Sequence, residues 1–166
     1  MLRFRSAKPC EGTLCIRAAR AATGLGYNRD MDTRTIVNAV TAAYPRVQAI
    51  YLFGSYGTED EWPNSDIDIA LLLPPVEAKA AGSLALGELH LGRQRLLGRD
   101  VDLINLRRAS TVLQKEVVVA DRRIFCADAY AADEFEMMTL SFYAKLGDER
   151  REILEQFRET GRAYSV

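Results

Sequence analysis

The segment Ile67 to Leu73 is apolar at every position except Asp68, and its last four residues, Ala70 to Leu73, leave no polar side. Seven residues is the length of a strand, and Pro74-Pro75 ends it. A strand with no polar face must be covered on both faces, so it belongs in the middle of a sheet with helices above and below. Upstream, Asp32 or Thr33 can cap a helix whose apolar positions Ile36, Val37, Val40 and Ala43 follow helical spacing until Pro45 stops it. A strand from about Val47 to Phe53 follows and closes on Gly54. The polar stretch Tyr56 to Ser65 then leads into the central strand, which opens at about Asp66.

Downstream, Ala80 to Leu97 reads as a helix with Leu86, Leu89 and Leu97 inward, although Gly87 and Gly92 each weaken it by about 1 kcal/mol relative to Ala. Arg99 to Leu106 is a third strand. Thr111 with Gln114 forms a capping box for a helix through Val117 to Ala120, and Arg122 to Cys126 is a short strand or edge. Phe135, Met138, Phe142, Leu146, Ile153 and Phe157 mark a long C-terminal helical region that Gly147-Asp148 can kink or split. Interleaved helices and strands predict an α/β (α+β) domain, a small mixed sheet flanked by helices. The expected division is an extension over 1–30, a core over 31–130 and a helical region over 131–166 that packs on the core or on a partner.

The first thirty residues show no clear period. They carry five Arg and Lys8 against Glu11 and Asp30, a net +4, so with an overall charge of -1 the remainder stands at -5. They read as a disordered arm, or as a segment upstream of a natural start at Met31. An acidic body offers no general attraction to a polyanion, so direct nucleic-acid binding is not expected. Cys10, Cys15 and Cys126 lack the second pair or nearby histidine of a zinc site and read as reduced thiols of a cytoplasmic protein. No apolar run approaches the roughly 20 residues that span a bilayer.

Chemistry concentrates at three places. Alternate side chains of a strand share a face, so Asp66 and Asp68 point the same way while Ile67 and Ile69 face the opposite layer. Two adjacent carboxylates repel, and a divalent cation between them would hold both ionised; magnesium suits few carboxylates plus substrate phosphate oxygens. Gly54-Ser55 follows a strand directly. A residue without a side chain lets the backbone approach a phosphate, and the hydroxyl can donate to its oxygen. A third carboxylate, Asp102, sits among apolar neighbours in Val101-Asp102-Leu103-Ile104. D-x-D alone is common and Gly-Ser alone is a turn. Strand, Gly-Ser, a ten-residue loop and Asp-x-Asp opening a second strand is a far more specific arrangement.

Leu52-Phe53-Gly54-Ser55-Tyr56, Asn64-Ser65-Asp66-Ile67-Asp68-Ile69-Ala70 and Val101-Asp102-Leu103 together resemble the minimal nucleotidyltransferases of the polymerase-beta-like superfamily. In particular the chain is similar to the antitoxin half of HEPN/MNT toxin–antitoxin pairs, from Met31 through the C-terminal helix. The resemblance implies an adenylyltransferase that uses ATP and magnesium, with two ions, to place AMP on a tyrosine of a partner HEPN ribonuclease toxin in a hetero-oligomer. Carried over by position, Asp66, Asp68 and Asp102 are the catalytic and metal-binding residues, with Asp102 nearest the attacking hydroxyl. Gly54, Ser55 and Ser65 are the nucleotide-binding residues.

The loop departs from the pattern. Relatives often follow Gly-Ser with a small residue and then Arg-Gly, whereas this chain has Thr58 and then Glu59, Asp60 and Glu61. The expected effect is a lost contact to nucleotide or partner and repulsion of a triphosphate. Two other functions follow from the same residues: a non-catalytic antitoxin that masks its toxin by contact, and a transferase for a small hydroxyl compound such as an aminoglycoside. The second usually needs a C-terminal substrate domain, and only about sixty residues follow the third strand. Elsewhere, Trp62 reads as a loop anchor, His90 as a packed or surface helix residue, Arg107-Arg108 as a solvated turn and Tyr164 as part of a tail. Phe135, Phe142 and Tyr143 read as core or partner-helix contacts rather than a base-stacking platform.

Overall fold

The computed structural model describes residues 26–62, 65–81 and 98–161. Helix α1 (Gly26–Ala43) leads into β1 (Ala49–Phe53) and β2 (Ile67–Leu72). There follow a short helix α2 (Pro75–Ala80), β3 (Val101–Asn105), a 3-10 turn (Leu106–Arg108), α3 (Thr111–Val119), β4 (Arg123–Cys126) and α4 (Ala129–Thr160). The four strands form one mixed sheet in the order β3-β2-β1-β4. β1 is antiparallel to both β2 and β4, and β2 is parallel to β3.

Strand alternation decides what each face packs against. Ile67, Ile69, Leu71 and Leu73 point to one side, where Ile50 and Leu52 of β1 and Val101 and Leu103 of β3 meet Ile36, Val37 and Val40 of α1 and Ala78 of α2. Ala70 and Leu72 point to the other, joined by Ala49, Tyr51, Leu106, Val117 of α3, Cys126 and Ala132 of α4. β2 is therefore central and covered on both faces, as its unbroken apolar end requires. The polarity of the strands brings the C-terminal end of β1 and the N-terminal ends of β2, β3 and β4 to one end of the sheet. The chemistry-bearing residues lie there.

Several boundaries differ from the sequence expectation. Helix α1 starts at Gly26, so Asp32 lies inside it, where its carboxylate accepts the Tyr56 hydroxyl at 3.4 Å. The cap of α3 is Ser110, whose oxygen accepts from Leu113 N at 3.3 Å, and not Thr111. There is no capping box, because the Gln114 amide donates to Leu106 O instead, at 2.9 Å. Pro75 does more than stop a strand. Its fixed φ suits the first turn of a helix, and α2 begins on it. Helix α4 runs unbroken through Gly147-Asp148: a Cβ at Gly147 would meet nothing within 4 Å, so that glycine costs only its propensity, and the Asp148–Arg151 ion pair braces the following turn.

Arg107 is not a solvated turn residue. It donates to Leu73 O at 2.7 Å and to Gln48 Oε1 at 3.0 Å and lies over the Phe135 ring at 5.4 Å, while Arg108 is exposed. Phe135 packs against the core as expected; Phe142 and Tyr143 are exposed. The predicted 80–97 helix beyond residue 81, with His90, lies outside the described residues, as do Cys10, Cys15 and Tyr164. No helix among the described residues is long and apolar enough to cross a membrane.

Candidate nucleotide and metal site

Register creates the site. Asp68 of β2 is the pairing partner of Phe53 on one side and of Asp102 on the other. Asp68 and Asp102 share the face of Ala70 and Ile104, which packs on α3 and α4 deeper in the sheet. Asp68 is half-buried, and Asp66 and Asp102 are exposed at the mouth. Burial pushes the Asp68 carboxyl above its usual value, the Asp102 and Asp66 charges push it further, and the Arg122 guanidinium works against them. Negative charge is in excess at this point of the structure.

Gly54 closes β1 in the left-handed region, φ +67°, directly against Asp68. A Cβ there would lie 1.9 Å from Asp68 Oδ2. The glycine is thus required twice over, by its conformation and by the carboxylate packed on it. Beyond it the Ser55 hydroxyl donates to Ser65 Oγ at 3.1 Å, and Ser65 Oγ also accepts from Trp62 N at 3.0 Å. The two serines meet across the loop base although ten positions apart. Ser65 binds the loop to the turn, and its hydroxyl stands beside the Ser55 hydroxyl.

The acidic loop is organised by basic residues from outside it. Glu61 accepts from Gly57 N at 2.9 Å through one oxygen and pairs with Arg99 at 2.7 Å through the other. Arg99 also donates to Ser65 O at 3.2 Å and lies over the Tyr56 ring at 5.3 Å. One of the three loop acids is therefore neutralised, and Glu59 and Asp60 point to solvent. Thr58 takes the place of the usual arginine without its chemistry: its hydroxyl and its N–H both donate to Ser55 O, at 2.7 and 3.0 Å. Arg122, ahead of β4, donates to Gly54 O at 3.2 Å and to Tyr56 O. The Trp62 ring is not an anchor. It is 74% exposed, and the main chain of that residue makes the loop bonds.

Arg99 and Arg122 are the residues that sequence reasoning placed at the starts of strands and gave no part in the site. Their targets are mostly backbone carbonyls, which leave no mark in a sequence. For magnesium the donors fit in kind, since all three are hard carboxylate oxygens and Asp68 is electrostatically strained by its two acidic neighbours. They do not form a finished cage: among the described residues no three His, Cys, Asp or Glu side chains converge as a cation site. An open set of this kind suits an ion that arrives with phosphate oxygens as further ligands.

A mixed sheet with a Gly-Ser turn at the end of one strand and opposed aspartates at the start of the next two defines a nucleotidyltransferase. The chain belongs to the polymerase beta nucleotidyltransferase family, whose pattern matches residues 36–130. It is 36% identical over 128 residues to the protein adenylyltransferase MntA of Shewanella oneidensis, covering 76% of this chain and 88% of that protein. A crystal structure of a toxin–antitoxin with AMP-PNP matches with a TM-score of 0.59 at 34% identity, over 76% of this chain and 98% of its own. The tri-AMPylated Shewanella oneidensis HEPN toxin in complex with its MNT antitoxin matches with a TM-score of 0.57 at 33% identity, over 78% and 98%.

Proposed function

We propose that this protein is an adenylyltransferase antitoxin that transfers AMP from ATP, with magnesium, to a tyrosine hydroxyl of a cognate HEPN toxin and so neutralises it in the cytoplasm. The observation that carries this reading is the register pair Asp68–Asp102 set against the Gly54-Ser55 turn. Its likeness to MntA and to complexes in which a HEPN toxin carries AMP supports the choice of AMP and of the acceptor.

In the proposed reaction the tyrosine oxygen attacks the α-phosphorus of ATP. An O–P bond forms as the bond from that phosphorus to the pyrophosphate oxygen breaks, pyrophosphate leaves, and the hydroxyl proton passes to solvent. Gly54 would let the backbone approach the phosphates, and the Ser55 hydroxyl, which here donates to Ser65 Oγ, would turn to donate to them. Asp66 and Asp68 would hold magnesium with Asp102, whose exposed carboxylate would face the incoming acceptor. When bound, magnesium ions supply charge neutralisation at the phosphates and lower the pKa of the attacking hydroxyl. Burial and the neighbouring Asp102 and Asp66 charges disfavour the ionised form of Asp68, and a bound cation would offset them. The reading is tested by intact mass of the partner toxin after mixing with this protein, ATP and magnesium. It should gain one or more AMP units, and the Asp66→Ala/Asp68→Ala variant should add none. An unchanged toxin mass under conditions where the two proteins bind would refute it.

A further inference from the structure

Arg122 is far in sequence from the Gly-Ser and Asp-x-Asp segments, yet it touches the turn at two points. Its two terminal nitrogens reach the carbonyls of Gly54, at 3.2 Å, and of Tyr56. The backbone of Arg122 is itself fixed to β1, because Leu52 N donates to Arg122 O at 3.0 Å. Gly57 leaves it room: φ there is +72°, and a Cβ would come 3.1 Å from Arg122 Nη2. The intervening carbonyl, Ser55 O, is held by Thr58. Three successive carbonyls of the turn are thus tied down, two of them by one guanidinium.

A trans peptide is planar, with its N–H opposite its carbonyl. Pinning the Gly54 carbonyl therefore sets the direction of the Ser55 N–H, and pinning the Tyr56 carbonyl sets that of Gly57, which meets Glu61. With φ positive at Gly54 and Gly57, the turn has few constraints of its own and would otherwise sample many geometries. We propose that Arg122 is the positioning residue of the phosphate-binding turn in AMP transfer: it acts through Gly54 and Tyr56 to aim the Ser55 N–H and hydroxyl at the nucleotide triphosphate. The guanidinium also carries positive charge to the Asp68 side of the site, where Thr58 supplies none. Only a fork can hold both carbonyls. A lysine at 122 would keep the charge and reach one of them.

This inference rests on the proposed AMP transfer, so the experiment reads both. Steady-state transfer to the cognate toxin is measured against ATP concentration for wild type, Arg122→Gln, Arg122→Lys and Asp68→Asn, with inorganic tripolyphosphate as a competitor and thermal unfolding as a check on folding. Arg122→Gln should raise the KM for ATP about tenfold, as expected for a lost charge-assisted hydrogen bond, and weaken tripolyphosphate inhibition in proportion. Arg122→Lys should fall between it and wild type. A merely structural arginine would lower kcat with the folded fraction and leave KM and tripolyphosphate inhibition unchanged, and that result overturns the proposal. Should the glutamine variant fail to fold, the lysine variant decides on the same KM criterion. Transfer that survives Asp68→Asn would instead sink the underlying reading, whatever Arg122 does.

Discussion

Replacing Gly54 by alanine separates stability from catalysis in this site. The new Cβ would sit 1.9 Å from Asp68 Oδ2 and 2.9 Å from its Cγ, against roughly 3.4 Å for ordinary contact, so the carboxylate must move by more than an ångström. The atom in the way is a side chain that can rotate, and the fold can absorb the change. The unavoidable cost is backbone conformation: alanine held at φ +67° loses about 1–2 kcal/mol. For a chain of this size that corresponds to a melting temperature lower by roughly 2–8 °C. Activity should fall far more, because displacing a group at the reacting centre by about an ångström costs on the order of a hundredfold. Circular dichroism melts and toxin AMP transfer at saturating ATP give the two numbers. A variant that melts as expected yet retains more than a third of wild-type turnover would refute the claim that Gly54 exists to seat Asp68.

Asp68→Asn should abolish transfer while leaving the magnesium-free protein at least as stable as wild type. The folded pKa of Asp68 lies above its unfolded value, so its ionisation opposes folding: the favourable contribution is complete below the unfolded pKa of about 4 and is lost as pH rises through the folded pKa. At pH 7 in EDTA the asparagine removes a repelled charge. Added magnesium should then raise the melting temperature of wild type and not of the variant, and a variant less stable in EDTA would contradict the charge argument. For the loop, Arg99→Met should raise the KM for ATP several-fold by leaving Glu61 unpaired, and Arg99→Met/Glu61→Gln should recover part of it. A double-mutant cycle on this partly exposed pair should give a coupling below about 1 kcal/mol, and a double variant no better than the single would show that Glu61 does not repel nucleotide.

How much of this was legible in the sequence depended on whether a residue's partner was local. Ala70 to Leu73 declared a strand covered on both faces because burial acts on side chains, and their alternation is written in order. Helix ends were less readable. Asp32 is a good cap by type, but the helix continues upstream through it and its carboxylate is taken by Tyr56 from another element. Thr111 and Gln114 have the spacing of a capping box, and the 3-10 turn just before them draws the glutamine to Leu106 O instead. Gly147 looked like a break because propensity was the only visible term.

The site shows the same division more sharply. Gly54, Ser55, Asp66, Asp68 and Asp102 stood out as candidates because strand alternation and a turn set their spacing, and the register brings Asp68 and Asp102 together. The sequence shows the acids of the loop but not their partners in space: Glu61 pairs with Arg99, while Glu59 and Asp60 stay exposed. Arg99 and Arg122 lie 38 and 61 positions after Glu61 in sequence, and parallel pairing of β2 with β3 and antiparallel pairing of β1 with β4 return both to the loop. Position 58 lacks an arginine, but the turn does not lack a guanidinium. What differs is its origin. An arginine on the loop moves with the loop, whereas one rooted ahead of β4 couples the nucleotide turn to the sheet edge, so changes at that edge should register in the affinity for ATP.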